Sequence, residues 1–326
     1  MRLRAIRFWH KLGNIAKPPL DRFFATPLTL IGNPHMLTVV LLCAPHRRNL
    51  DPALVESLRN AWGGGEAVWL KPDEAAEFAV PAMPENREQV WESCQAMGVD
   101  LVVVPTSGRR KKMLLADMDS TMIEQECIDE LADEAGVGAQ VKDITARAMN
   151  GEIDFDGALR ERVGLLKGLP DAVIGRVLAE RITLMSGGKV LLATMKANGA
   201  HAALVSGGFT AFTARISTLL GFDENRANTL VIKQGVLTGE VGVPILGKQA
   251  KVDALNEITA RLGIGQDEVI AVGDGANDLG MLTRAGMGVA LHAKPAVAAQ
   301  CDVRINFGDL TALLFVQGYT QSEFVS

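Results

Sequence analysis

The sequence predicts an α/β protein in two parts, a doubly wound parallel sheet carrying a helical insertion and, ahead of it, a smaller βαββαβ domain. Three observations predict this. After Lys112, short and wholly apolar runs alternate with helical patterns, as strands buried on both faces of a parallel sheet do. Before Thr106, the patterns follow the order strand, helix, strand, strand, helix, strand. Between these regions Thr106-Ser-Gly-Arg-Arg-Lys-Lys112 is polar and basic, which suits a linker and puts the domain boundary near Ser107. A chain of 326 residues is long enough for two domains that each bury a core.

The first residues, MRLRAIRFWHKLGNIAK, are basic and free of acids. Residues 1–35 read as an N-terminal extension with a solvated basic face, or as an organelle transit peptide. No small-residue cleavage signal follows, which favours the extension. Within residues 36–106, MLTVVLLC reads as a strand, LDPALVESLRNAW as a helix, EAVWL and AEFAV as strands, NREQVWESCQAMG as a helix and DLVVVP as a strand. Asp51-Pro52 supplies a capping oxygen and a first-turn proline for the first helix. This order is the split βαβ arrangement of ferredoxin-like domains.

Residues 107–326 form the second domain. KMLLAD, HAALVS, EVIAVG and MGVAL are its strands, and ligands are expected outside their carboxyl ends. No convincing strand lies between Ile123 and Leu191. That interval, about 123–191, reads as a helical cap over the site.

Composition narrows the chemistry. With 48% hydrophobic and 22% charged residues the chain is a folded globular protein, and a net charge of -5 argues against nucleic acid as its main partner. The four cysteines form no CxxC pair and the five histidines are scattered, so neither a disulfide framework nor a zinc site is indicated. A reducing cytoplasm is the expected location. The longest apolar run, around Met36 to Cys43, is too short to cross a bilayer.

Three strand ends carry polar residues of a particular kind: Asp117 and Asp119 after MLLA, Ser206-Gly-Gly after HAALV, and Gly273-Asp-Gly-Ala-Asn-Asp278 after VIAV. In a parallel sheet these ends converge on one crevice. Asp117 and Asp274 offer hard oxygen ligands for Mg2+, which takes only one or two carboxylates and keeps its waters. Charge neutralisation of this kind lets Asp117 act as a nucleophile toward phosphorus. Asp119 is suited to hand a proton to the leaving alkoxide and later to take one from water. Ser206, the amides through Gly207 and Gly208, and Lys251 near a helix start provide the donors that phosphoryl transfer requires.

DMDST, VSGGF, the lysine in QAKVDAL and GDGANDLGML resemble the four ordered motifs of the haloacid dehalogenase (HAD) superfamily. TMIEQECIDELADEAGV, followed by ITARAMNGEIDFDGALRERVGLLKGL, closely resembles the phosphoserine phosphatase family within it. The similarity covers roughly Lys112 to Leu314. It implies a HAD-like core with Asp117 as nucleophile and Asp119 as acid and base. The implied Mg2+ ligands are the side chains of Asp117 and Asp274 and the main-chain carbonyl of Asp119. Ser206, Gly207 and Lys251 match the phosphate binders, Glu126 and Arg162 the residues that read the amino acid, Asn277 a further substrate contact, and Asp278 a positioning acid. The implied substrate is O-phosphoserine and the implied role the last step of serine biosynthesis. The alternative is a related phosphotransferase, or a phosphatase of another small phosphorylated amino acid.

The specificity pair also makes sense from its chemistry. A guanidinium can grip a carboxylate through paired hydrogen bonds while a carboxylate holds an ammonium. Phe155 and Met149 read as cap-core residues. GVPILGK, residues 242–248, lacks the hydroxyl residue and the preceding strand of a P-loop, and GDGAND lacks the alternating acids of an EF-hand. The βαββαβ domain resembles ACT-like regulatory modules, which implies serine binding; folding support or pairing of subunits into a homo-oligomer is the other reading.

Overall fold

The structure is a computed structural model that describes residues 36–149 and 152–326, so the basic extension expected at 1–35 lies outside it. The chain divides into two compact units between Arg109 and Arg110.

The first unit consists of β1 (Leu37–Cys43), α1 (Pro52–Ala61), β2 (Val68–Lys71), β3 (Ala75–Val80), α2 (Arg87–Met97) and β4 (Val99–Pro105). The strands form an antiparallel sheet in the order β2-β3-β1-β4, the split βαβ order read from the sequence. The Asp51 side chain accepts the Ala53 N–H at 2.8 Å and caps α1 just before Pro52. At the other end of the unit Gly98, with φ 77°, closes α2 in the left-handed conformation glycine tolerates. One face of the sheet packs Val39, Leu41, Phe78 and Val103 against Leu54, Leu58 and Val90 of the helices. Full burial of such side chains contributes roughly 1.5–3 kcal/mol each.

The second unit is built on a six-stranded parallel sheet: β5 (Met113–Ala116), β6 (His201–Phe209), β7 (Glu224–Asn228), β10 (Val269–Gly273), β11 (Met287–Leu291) and β12 (Val303–Ile305). Its order is β12-β11-β10-β5-β6-β7. The chain therefore lays β6 and β7 on one side of β5 and then crosses to lay β10, β11 and β12 on the other. Such a reversal opens a crevice at the strand carboxyl ends, here between β5 and β10. A separate hairpin, β8 (Leu230–Lys233) and β9 (Val236–Val241), follows β7.

The interval expected to be helical contains α3 (Cys127–Glu134), α4 (Gly138–Met149), α5 (Phe155–Gly164) and α6 (Ala172–Glu180). Its last residues pass into α7 (Gly188–Ala197), which packs on β6 and on α8 (Thr210–Leu220), in the layer covering the sheet. The remaining helices are α9 (Lys248–Leu262), α10 (Leu279–Leu282), α11 (Pro295–Ala298) and α12 (Ala312–Val316). Strand β7 was not readable as a strand because its sequence is ENRAN. It is an edge strand whose Glu224 pairs with His201 and Arg261 and whose Arg226 pairs with Glu257, so ion pairs replace apolar packing. Among the described residues no helix is long and apolar enough to cross a membrane.

Candidate active site

Asp117 is the first residue beyond β5, and its N–H donates to the Val272 carbonyl of β10 at 3.1 Å, so the strand pairing itself fixes its backbone. Its Oδ1 accepts from the Met118 N–H at 2.8 Å and pairs with Lys251 Nζ at 2.7 Å. Asp119 is held on both oxygens, by the Cys127 N–H at 3.0 Å and by the Ser206 hydroxyl at 3.2 Å. Strand β6 runs past the end of the sheet, and its register with β7 shifts between Val205 and Phe209. That irregularity turns Ser206, Gly207 and Gly208 toward Asp119. A Cβ on Gly208 would lie 2.6 Å from Asp119 Oδ2, so a side chain there would displace the Asp119 carboxylate.

Lys251, in the first turn of α9, is buried and bonds both Asp117 and Asp278. Asp278 also accepts the Gly275 N–H at 2.9 Å, which ties the loop after β10 to the same ammonium. Burial works against the charge of Lys251, yet the two carboxylates outweigh it and hold its pKa above the ordinary lysine value. Asp117 is pushed well above the usual carboxylate range by burial and then by the Asp278 charge, with Lys251 opposing. Burial also raises Asp119, against its bonds from Cys127 and Ser206. Asp274 is raised by burial and by Asp278, and Thr121 donates to its Oδ1 at 3.4 Å.

A cavity of about 540 Å³ joins these groups to the helical interval. Asp117, Asp119, Ser206, Gly207, Asp274 and Asn277 line it from the sheet side, and Glu126 and Arg162 from the helices. Glu126 stands at the N-cap position of α3 without a side-chain capping bond, accepts the Ser120 hydroxyl at 2.7 Å, and is pushed up to about 7 by burial and the Asp119 charge. Arg162, on α5, donates from Nε to the Ala158 carbonyl at 3.2 Å and forms no ion pair among the described residues. Burial lowers its pKa, opposed by the charges of Asp129 and Glu126. Every residue selected from the sequence thus lies on the cavity wall or, for Lys251 and Asp278, directly behind it.

Some wall residues were missed. Phe155, read as cap core, is 37% exposed and lines the cavity, its ring 3.4 Å from where a Cβ on Gly207 would stand. The helical pattern shows that Phe155 faces inward but not that its neighbour is a void. Asp129, one turn beyond Glu126, and Lys294, after β11, also line the cavity. Asn228 at the end of β7 is buried; its amide donates to the carbonyls of Gly207 at 2.8 Å and Leu246 at 3.1 Å, and its oxygen accepts the Leu246 N–H at 2.7 Å. It clamps the Ser206 loop to the segment leading into Lys251.

Carboxylate oxygens of Asp117, Asp274 and Asp278 lie within 4.8 Å of one another. Lys251 is shared by two of them, which leaves uncompensated negative charge on oxygen donors at the crevice. That donor set fits a hard divalent cation and offers nothing to a soft one. Asp278, saturated by Lys251 and Gly275, is the least free of the three.

The sequence model of the haloacid dehalogenase-like hydrolases matches residues 114–283. The phosphoserine phosphatase of Archaeoglobus fulgidus is 44% identical over 234 residues, which are 71% of this chain and 68% of that protein. Among solved structures, a HAD family hydrolase from Salmonella enterica serovar Typhi aligns with a TM-score of 0.78 at 32% identity, over 86% of this chain and 98% of that one. A substrate-bound phosphoserine phosphatase complex aligns with a TM-score of 0.59 at 41% identity, over 63% of this chain and 97% of that one.

Proposed function

The chain belongs to the haloacid dehalogenase-like hydrolases, and from that membership and the cavity's geometry we propose that it is a phosphoserine phosphatase, releasing serine and phosphate through an aspartyl phosphate on Asp117. The observation that carries this reading is one cavity with the Asp117 and Asp119 carboxylates on one wall and, on the other, the Glu126 carboxylate and the Arg162 guanidinium, which has no ion pair among the described residues. O-phosphoserine presents a phosphate, an ammonium and a carboxylate, and the walls offer a partner to each.

In the first step an Asp117 oxygen forms a bond to phosphorus as the bond from phosphorus to the serine oxygen breaks. Both hydrogen bonds to Asp117 fall on Oδ1, so Oδ2 is the less encumbered oxygen. Asp119, kept protonated more readily by its burial, gives its proton to the departing alkoxide. In the second step Asp119 takes a proton from water as the water oxygen attacks phosphorus and the bond to Asp117 breaks. Ser206, whose hydroxyl oxygen accepts the Gly208 N–H at 2.8 Å, the Gly207 amide and Lys251 surround the phosphate, and Asn277 contacts the substrate. Mg2+ is the proposed cofactor, held by the side chains of Asp117 and Asp274 and the Asp119 carbonyl; when bound it neutralises charge between carboxylate and phosphate.

The four cysteines, all buried and unpaired, support a reducing cytoplasm. The antiparallel βαββαβ unit is proposed as a serine-binding or subunit-pairing module on its topology alone. The test of the main reading is phosphate release from a panel of small phosphomonoesters, with and without Mg2+. Phosphoserine is expected to lead the panel, and Asp117→Asn to abolish its turnover. Robust release by pure Asp117→Asn protein would refute the reading.

A further inference from the structure

The cation at the centre of the crevice is already committed. Lys251 is 2% exposed, pairs with Asp117 at 2.7 Å and also bonds Asp278. A phosphate group coming from solvent must nevertheless pass a wall that includes Asp119, Glu126 and Asp274. Arg162, across the cavity, is the group the proposed reaction assigns to the substrate carboxylate.

A further cation lines the same cavity. β11 runs parallel to β10, with Ala290 opposite Gly273, so the segment after β11 arrives at the strand ends beside Asp274. There the turn is held firmly. His292 takes a φ of 47°, its N–H donates to Ile305 at 2.8 Å, and its ring lies 2.8 Å from the Gly308 carbonyl oxygen. The Lys294 N–H reaches the Asp274 carbonyl at 3.4 Å, and the following Pro295 restricts Lys294 to the extended backbone it has, φ -57° and ψ 143°. The side chain is exposed, lines the cavity, and has no ion pair among the described residues. Its charge is felt at Asp274, whose carboxyl it draws downward against burial and the Asp278 charge.

We propose that Lys294 is the phosphate-steering residue of this cavity: an ammonium at the rim with no ion pair among the described residues, carried on a backbone held beside Asp274, that draws the phosphate past the acidic wall and positions it toward Asp117. The proposal rests on the reaction of the preceding section. Unlike Lys251, it acts mainly before chemistry, and through charge more than through one hydrogen bond.

The test compares wild type with Lys294→Ala, Lys294→Arg and Lys294→Glu, measuring kcat and KM for phosphoserine and the inhibition constant of inorganic phosphate from low to high NaCl. At low salt Lys294→Ala should lose about 3- to 10-fold in kcat/KM, chiefly through KM, with the phosphate constant weakened alike and the gap closing as salt screens the charge. Lys294→Arg should stay within about 2-fold of wild type, and Lys294→Glu should fall below Lys294→Ala. Equal losses in the arginine and alanine variants, a loss indifferent to salt, or an unaltered phosphate constant would each overturn the proposal. If wild type released no phosphate from phosphoserine, the reaction itself would be refuted. Calorimetric titration of Mg2+-loaded wild type and Lys294→Ala with inorganic phosphate would still decide the role of Lys294.

Discussion

Asp119 sits where burial and hydrogen bonding pull in opposite directions. Buried, it favours its neutral form; bonded by the Cys127 amide and the Ser206 hydroxyl, it is kept within reach of ionisation and in one orientation. Asp119→Asn keeps the shape and one acceptor oxygen, which can still take the Cys127 N–H, but cannot move a proton. Turnover at saturating Mg2+ should fall by about 10²- to 10⁴-fold with substrate affinity largely kept, as steady-state kinetics would register. A change in metal affinity alone would contradict the acid and base role. Arg162 tests specificity in the same way. Its Nε is spent on Ala158, and the residue lines the cavity with no ion pair among the described residues. Arg162→Ala should cut kcat/KM for phosphoserine far more than for phosphoethanolamine, which lacks the carboxylate. A charged hydrogen bond is worth roughly 1.5–3 kcal/mol, so the preference should shrink by about one to two orders of magnitude. Equal losses on both substrates would show that the arginine does not read the carboxylate.

Among the elements, the end of β6 depends on a strand that carries little apolar character. β7 is the sheet edge, yet its last residue, Asn228, satisfies Gly207 and both backbone groups of Leu246. Replacing it by alanine leaves three part-buried backbone groups to find other partners, at up to about 1–3 kcal/mol for each that fails. Asn228→Ala should therefore lower the unfolding free energy measured in urea and weaken phosphate binding together. Unchanged stability would mean that water replaces the amide. The strands of both cores were legible because MLLA and VIAVG are buried along their whole length and LTVVLLC from Thr38 onward. β7 and β12 were not, because ENRAN and VRI become strands only through pairing with β6 and β11.

For the molecule as a whole, two cores and one charged crevice set the behaviour. The core of the first unit draws on residues between Leu37 and Val103, and one core of the second on residues between Met113 and Cys301. The crevice at the β5/β10 reversal concentrates Asp117, Asp274 and Asp278, with the one buried ammonium, Lys251, paired to Asp117 and Asp278, so a cation bound there is expected to be linked to folding. Mg2+ at about 100 times its dissociation constant should stabilise the protein by about 2.7 kcal/mol, seen as a higher Tm that EDTA reverses. The rise should be lost in Asp274→Asn. An equal rise in that variant would put the cation elsewhere. The sequence by itself determined the βαββαβ order, the parallel core, the helical interval and the polar residues at three strand ends, because each is written in local apolar period and in residues a few positions apart. MGVAL was legible as a fourth strand, yet Lys294 was not legible as a wall residue, since only the parallel register of β10 and β11 carries the chain after Ala290 to Asp274. The same holds for Phe155 beside Gly207 and for Asn228 beneath it. Tertiary structure decided these because their neighbours are distant in sequence, and periodicity records which way a side chain faces but not what it meets.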